Sequence, residues 1–172
     1  MDWLFIFQCL YYFLPAYVAN MTPVFVRKLP FLHHPIWSRK LGPHKTWRGL
    51  LLGTLAGTIV FGLQRQAYLM GFTSLALLDY ADFSLGYGIS MAGGALLGDV
   101  IKSYYKRKAQ IPPGKSWIPW DQLDFVLGGI AGVAFLYAMN ITVVLILVLA
   151  SPALHVLVNY LGYLLGMKEN KW

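Results

Sequence analysis

Long apolar runs separated by short charged segments are the feature that most constrains how this chain folds. Residues 3–26 are apolar apart from Gln8, Asn20 and Thr22. At about 1.5 Å per helical residue, such a run is long enough to cross the ~30 Å hydrocarbon core of a bilayer. Of the 172 residues, 58% are hydrophobic and 12% are charged, which is more apolar surface than a soluble domain of this size buries. The sequence therefore predicts an all-α, polytopic integral membrane protein.

The apolar runs predict five transmembrane helices in a single membrane domain covering residues 1–172. The helices are expected over residues 3–26, 47–64, 83–105, 121–139 and 142–166, with loops 27–46 and 106–120 on one side of the membrane. The run from 121 to 166 is too long for one span, and Asn140 offers a break within it. Pro15 and Pro152 are expected to bend the first and fifth helices, because proline removes a helix hydrogen bond.

Basic residues set the orientation of these spans. Every Lys and Arg except Arg65 falls in loop 27–48, in segment 102–115 or in the tail, which carries Lys168 and Lys171. The positive-inside rule then places the N-terminus outside, and both basic loops and the C-terminus in the cytoplasm, in a multi-pass protein of the cell membrane. The net charge of +7 follows the loops of a membrane protein, so no nucleic-acid partner is expected.

Small residues predict where helices approach one another closely. Gly49, Gly53 and Gly57 recur every four residues and lay a smooth stripe along the second helix. Packing within one chain and packing between two copies in a homodimer both remain open. Lipid tails are expected to lie against such a groove of small residues. The third helix is rich in glycine and alanine, which predicts that it is central and buried.

Segment 98–124 concentrates the charged residues on predicted helix faces. On a helix continuing from Gly98, the side chains of Asp99, Lys102, Ser103 and Lys106 share one face. Asp121 and Asp124 are three residues apart at the start of the next helix and also share a face. A tight loop between antiparallel helices would therefore bring three aspartates together.

Three neighbouring carboxylates in an apolar protein repel one another unless a cation neutralises them. Oxygen ligands of this kind favour Mg²⁺, and the basic residues beside them indicate a phosphate-bearing ligand. Lys45 and Arg48 open the second helix, whose N-terminus favours an anion. The structural alternative, in which Asp99, Asp121 and Asp124 form ion pairs that anchor helix ends, also stays open.

The motifs of this segment resemble those of a known superfamily. Ser103-x-x-Lys106-Arg107, the pair Pro113-Gly114 and Asp121-x-x-Asp124 resemble the signature of the CDP-diacylglycerol synthase superfamily of membrane cytidylyltransferases. The short chain, together with GPHKTWRG, GDxxKSxxKR and PWDQLD, looks more specifically like the archaeal CDP-archaeol synthases, over essentially the whole chain. The bacterial pattern has an arginine where Gln122 and Leu123 stand. Because the chain departs from that pattern in this region, no residue roles are carried over within 108–120.

The resemblance implies a reaction and a set of site residues. CTP and an unsaturated archaetidic acid, the phosphate of a di-geranylgeranyl glycerol ether, would give a CDP-activated isoprenoid ether lipid and pyrophosphate in a membrane of similar lipids. One or two Mg²⁺ ions would be held by Asp99, Asp121 and Asp124, and Lys102 would assist catalysis. The triphosphate of CTP would be bound by hydroxyl and basic groups: Lys45, Arg48, Ser103, Lys106 and Arg107.

Two other function classes are alternatives to this interpretation. CDP-alcohol phosphotransferases, another class of membrane phosphotransferase, use an Asp-Gly-x-x-Ala-Arg motif, and no Asp-Gly occurs in this sequence. A small transporter is expected to carry ionisable residues near the bilayer midplane, often in repeated halves. Here the charges gather at one predicted interface, which favours the enzyme.

Overall fold

The computed structural model describes residues 2–112 and 115–164, and within them the chain is helical without a β-strand. Its elements are α1 (Trp3–Tyr12), α2 (Leu14–Phe25), α3 (Ser38–Leu41), α4 (Trp47–Leu69), α5 (Leu85–Lys108), α6 (Trp120–Val133) and α7 (Ile141–Leu164), with short 3-10 turns at Val26–Lys28 and Tyr80–Asp82. The all-helical prediction is thus confirmed for these residues. Several predicted features lie outside the described residues: Pro113, Gly114, the end of the fifth helix at 165–166, Lys168 and Lys171.

The first predicted span is two helices that meet at an angle of 53°. Asp2 begins α1 by accepting a hydrogen bond from the Leu4 N–H at 3.1 Å. The break falls at Phe13, just before Pro15 near the start of α2. A proline ring clashes with the carbonyl four residues earlier in a helix, so the helix restarts around Pro15 instead of running through it.

By length and composition, the bent pair formed by Trp3–Tyr12 and Leu14–Lys28 qualifies as a membrane span, whereas no single helix does within 2–112 and 115–164. The long helices α4 and α5 have 23 and 24 residues. Glycines and polar side chains such as Arg48, Gln64, Asp99 and Lys102 lower their apolar character. Five transmembrane spans therefore stay a prediction.

The glycine stripe of α4 packs against α2 of the same chain. A Cβ added at Gly53 would lie 2.8 Å from the carbonyl oxygen of Ala19, and one at Gly57 would lie 2.6 Å from that of Pro15. At Gly49 an added Cβ would meet the Pro23 ring at 3.1 Å. The expectation that lipid tails lie along a small-residue groove is therefore wrong for this stripe, because α2 fills it. The stripe offers no surface to a second copy either.

Helix α5 lies at the centre of the bundle, in contact with α2, α3, α4 and α6. Its buried side carries small, aromatic and larger aliphatic residues: Tyr87, Gly88, Met91, Ala92, Ala95 and Leu96. The helix extends to Lys108, three residues beyond the predicted end of the span at 105. This extra turn carries Lys106 and Arg107 on a rigid helix instead of in a loop.

Helix α6 ends at Val133, well before the predicted end of the fourth span at 139. The chain leaves the helix because Tyr137 packs against Tyr12 and Phe83, with ring centroids 6.4 and 6.0 Å apart. Asn140 then starts α7, since its side-chain oxygen accepts a hydrogen bond from the Thr142 N–H at 2.8 Å. Tertiary packing of aromatic rings thus overrides the apolar helical pattern of residues 134–139.

Candidate active site

Glycines allow α5 and α6 to meet backbone to backbone. A Cβ added at Gly94 would lie 2.5 Å from the Gly128 carbonyl oxygen, and one at Gly98 would overlap the carbonyl oxygen of Asp124. Gly128 and Gly132 face α5 equally closely. Residues without a side chain are needed for such contact. This glycine-lined contact, the α5–α6 seam, places the charged turns at the end of α5 directly against the first turn of α6.

Three carboxylates converge on one ammonium where these helix ends meet. The Nζ of Lys102 lies 3.3 Å from Oδ1 of Asp99, 2.7 Å from Oδ1 of Asp121 and 3.0 Å from Oδ2 of Asp124. The side chain of Asp124 is 4% exposed and that of Lys102 is 14% exposed. The structure therefore brings together the four residues that the sequence analysis singled out as catalytic.

Two further lysines flank this cluster, one on each side. Lys45 forms an ion pair with Oδ2 of Asp99. The Nζ of Lys106 donates to both carboxylate oxygens of Asp121, at 3.0 and 2.8 Å. The Trp117 backbone N–H also donates to Asp121 at 2.5 Å. Three ammonium groups thus face the three carboxylates in a largely buried setting, and this pairing offsets part of the cost of burying charge.

The loop before α4 is fixed so that Lys45 reaches α5. Thr46 caps α4 by accepting a hydrogen bond from the Gly49 N–H at 3.2 Å. The Lys45 carbonyl accepts a hydrogen bond from the Ile36 N–H at 2.7 Å, and Thr46 pairs with Pro35 as an isolated antiparallel bridge. These contacts hold the backbone on both sides of the Lys45 side chain.

The Arg48 guanidinium donates hydrogen bonds to the loop that precedes α4. Its Nη2 donates to the Arg27 carbonyl at 2.7 Å, and its Nη1 donates to the carbonyls of Leu29 and Phe31. The residue is 5% exposed. The structure therefore gives Arg48 a place in holding loop 27–32 against α4, while nucleotide binding by Arg48 stays a prediction.

Ser103 and Arg107 lie on the same helix but outside the lysine-aspartate contacts. The Ser103 hydroxyl donates to the Asp99 backbone carbonyl at 2.7 Å, one turn earlier in α5. Arg107 is half-buried, and its Nε is buried without a hydrogen-bond partner in the part of the chain that the structure describes. An unpaired guanidinium N–H on the residue that follows Lys106 is suited to an anion, since leaving it unpaired is costly.

A cleft opens beside Asp99, between α2, the loop before α4, and α5. It is lined by both polar and apolar residues, among them Pro23, His44, Lys45, Gly49, Leu96 and Asp99. The cleft therefore brings a basic group and apolar groups next to one of the carboxylates. His44 enters the site here, although nothing in the spacing of the sequence marked it.

The carboxylates fit a divalent cation by their chemistry but surround an ammonium in this structure. Among residues 2–112 and 115–164, no three His, Cys, Asp or Glu side chains are arranged as a metal-binding group. The oxygens stand 2.7–3.3 Å from the Lys102 Nζ, whereas Mg²⁺ takes its oxygen ligands at about 2.0–2.1 Å. Three hard oxygen donors around one positive centre are nevertheless the ligand set that such an ion prefers.

Sequence reasoning missed how α5 and α6 come together and how their aspartates are held. Gly94 and Gly98, like Gly128 and Gly132, are four residues apart, and this spacing is a readable signal for close helix packing. The backbone donor from Trp117 and the pairing of Lys45 with Asp99 carry no such signal, because both depend on loop conformations.

Comparison with solved structures and with known sequences places the chain among the enzymes of archaeal lipid biosynthesis. Its structure is similar to a solved structure of an intramembrane enzyme for archaeal membrane lipid biosynthesis, with a TM-score of 0.67 and 31% sequence identity. The likeness covers 87% of this chain and 91% of that one.

Sequence comparison gives the family. Residues 3–172 match the CarS-like family, described as CDP-archaeol synthase. The CDP-archaeol synthase of Thermococcus kodakarensis is 35% identical over 100% of both chains, and that of Haloarcula marismortui is 39% identical over 92% of both. The chain belongs to the CDP-archaeol synthase family, and it is a nucleotidyltransferase of archaeal lipid biosynthesis. Family membership favours this activity over the transporter and the other phosphotransferase.

Proposed function

We propose that this protein transfers CMP from CTP to an unsaturated archaetidic acid, which is di-geranylgeranylglyceryl phosphate, and forms CDP-archaeol and pyrophosphate. The observation that carries the proposal is the convergence of Asp99, Asp121 and Asp124 on a single cationic centre, 2.7–3.3 Å from their oxygens. Lysines on both sides of that centre and the half-apolar cleft beside Asp99 suit two phosphate-bearing substrates, one of which is a lipid.

The reaction needs charge neutralisation and alignment more than proton transfer. A phosphate oxygen of the lipid forms a bond to the α-phosphorus of CTP, and the bond from that phosphorus to the bridging oxygen of pyrophosphate breaks in line. The nucleophile is already an anion at neutral pH, so no general base is required. This accounts for a site whose described core consists of carboxylates and ammonium groups.

Basic residues are proposed to bind the triphosphate of CTP and to stabilise the charge that develops on pyrophosphate. Lys45, Lys102 and Lys106 surround the carboxylates, and Arg107 presents an unpaired buried N–H beside them. Fixed positive groups aimed at a leaving anion lower the barrier without reorganisation. Ser103 would add a hydrogen bond by turning its hydroxyl away from the Asp99 carbonyl, and Arg48 would act from the start of α4.

Asp99, Asp121 and Asp124 are the residues that would hold Mg²⁺, as one ion or two. When bound, Mg²⁺ supplies positive charge that neutralises and orients phosphate oxygens. The carboxylates fit this role because they are the hard oxygen donors that Mg²⁺ selects, and because the structure already gathers them around a cation.

The site is proposed to face the cytoplasm in a protein with five membrane spans and an external N-terminus. The support comes from the distribution of charge, since Lys45, Lys102 and Lys106 all lie at the predicted cytoplasmic ends of helices. A reporter fused after Trp172 is expected to report the cytoplasm. External accessibility at that point would overturn the orientation.

The position of the radioactive label in CTP tests the transfer. Purified protein is incubated with Mg²⁺, di-geranylgeranylglyceryl phosphate and CTP labelled at either the α- or the γ-phosphorus. The proposal expects α-label in the lipid and γ-label in pyrophosphate. Label from the γ-position in the lipid would indicate a kinase, and absence of label in the lipid from either position would refute the proposed activity. A diacylglyceryl phosphate used in parallel tests the preference for an ether lipid.

A further inference from the structure

The ammonium of Lys102 is surrounded by the carboxylates of three aspartates. A lysine ammonium has three N–H donors and no acceptor, and the Lys102 Nζ lies within 3.3 Å of three separate carboxylates. It donates a hydrogen bond to Asp121 and forms ion pairs with Asp99 and Asp124, so its positive charge is directed at carboxylates in this arrangement. Lys102, which is proposed to help bind the triphosphate, is therefore held by other partners in this structure.

Lys102 differs from the two lysines on either side of it. In the part of the chain that the structure describes, Lys45 pairs with Asp99 alone, and Lys106 pairs with Asp121 alone. Within the described residues, Asp124 makes its ion pair with Lys102 and with no other basic side chain. Because the Asp124 side chain is 4% exposed, its charge would be buried without a counter-ion if Lys102 moved away and nothing replaced it.

A divalent cation held by the same three aspartates must occupy the position of this ammonium. The two cannot share it, because both are positive and both require the same oxygens. Mg²⁺ takes oxygen ligands at about 2.0–2.1 Å, which is shorter than the contacts to the Lys102 Nζ, so the carboxylates would hold the cation more closely than they hold the ammonium. The lysine has a flexible four-carbon stem, and it leaves by rotation of its side chain while the α5–α6 seam stays in place.

We propose that Lys102 is an internal counter-ion that exchanges with the divalent cation: it holds the three aspartates together before the cation binds and is released when the cation takes its position. This inference rests on the proposed function, in which the aspartates are the cation ligands. Release turns Lys102 from a partner of carboxylates into a free ammonium one helical turn from Asp99. Cation binding thereby creates a donor for the phosphates that arrive with it.

The exchange predicts that removing Lys102 strengthens cation binding. Mn²⁺ is titrated into purified protein without nucleotide or lipid, and free Mn²⁺ is followed by its electron paramagnetic resonance signal. Lys102→Met is expected to bind Mn²⁺ roughly tenfold more tightly than the wild type, because the competing charge is gone. Lys106→Met removes the same charge from the same helix but frees Asp121 alone. The affinity of this variant for Mn²⁺ should therefore change about threefold or less. An unchanged or weaker affinity in Lys102→Met, or an equal gain in Lys106→Met, would overturn the exchange.

A second measurement uses the wild-type protein and does not depend on how a variant folds. Lysine acetylation by a water-soluble ester is followed by mass spectrometry, with and without Mg²⁺. Mg²⁺ is expected to speed the acetylation of Lys102, while the rate at exposed Lys40 stays constant as an internal reference. A rate at Lys102 that is unchanged or slower at saturating Mg²⁺ contradicts the proposal. Neither measurement requires CTP or lipid, so failure of the exchange is distinguished from failure of cytidylyl transfer.

Discussion

Gly98 on α5 packs so closely against Asp124 on α6 that a Cβ at position 98 would overlap the Asp124 carbonyl oxygen. One residue further along α5, Asp99 turns toward the ammonium that Asp124 also contacts. The absence of a side chain at Gly98 is therefore what allows carboxylates from two helices to share a cation. The geometry of the site depends on this helix contact as much as on the charged residues.

Gly98→Ala is expected to push α5 and α6 apart and to impair the enzyme. Overpacking of a close contact costs about 1–3 kcal/mol, and the shift also separates Asp99 from Asp124. Thermal unfolding in detergent and cytidylyl transfer should both show a loss. Gly93→Ala is the matched control, because its Cβ would meet only Thr54 at 3.9 Å. Equal behaviour of the two variants would show that the seam does not set the site.

Arg48→Ala is expected to loosen the loop between α2 and α4. It removes the hydrogen bonds that Arg48 donates to the carbonyls of Arg27 and Leu29, and a typical hydrogen bond contributes about 0.5–1.5 kcal/mol to stability. Limited trypsin digestion should then cut more rapidly within residues 27–40, and Arg48→Lys should restore little, because an ammonium lacks the planar fork of a guanidinium. Ser38→Ala serves as a control at an exposed position in the same loop, because it leaves every trypsin site in place. Digestion of Arg48→Ala at the wild-type rate would contradict this role.

Lys106→Ala is expected to weaken CTP binding. Lys106 lies beside Asp121 at the end of α5, where a positive charge can meet a triphosphate. Loss of one charge-assisted contact of this kind corresponds to about a tenfold rise in the KM for CTP. The KM for the lipid phosphate should stay near the wild-type value, and exposed Lys108→Ala should change neither. An effect confined to the lipid would mean that the two substrate sites are exchanged.

The helical spacing of the sequence predicted much of the site. Asp99, Lys102 and Lys106 fall on one helix face by their separation alone, and Asp121 and Asp124 do so on the next helix. That both faces meet follows from the short connection between α5 and α6. The structure adds the partner of each group: Lys102 reaches all three aspartates, whereas Lys45 and Lys106 reach one each.

Features set by tertiary packing lay beyond the sequence pattern. Residues 134–139 are apolar and their pattern predicts a helix. The helix nevertheless ends at Val133, and Tyr137 beyond it packs against aromatic rings of other elements. Arg48 reads as a ligand for phosphate because it is basic and opens a helix. Its guanidinium pairs with backbone carbonyls, and this contact could not be predicted because their positions depend on the path of a loop with several prolines. Nucleotide binding by Arg48 stays a prediction.

The most direct measurement of the central claim is the turnover of cytidylyl transfer in Asp99→Asn, Asp121→Asn and Asp124→Asn, with Asp82→Asn as a control at an exposed position. Each site variant loses a carboxylate charge but keeps the size of the side chain. We predict that all three remain folded in detergent and lose at least about 100-fold in turnover, whereas Asp82→Asn keeps wild-type activity. Near-wild-type turnover in all three site variants would contradict the assignment of this cluster as the active site.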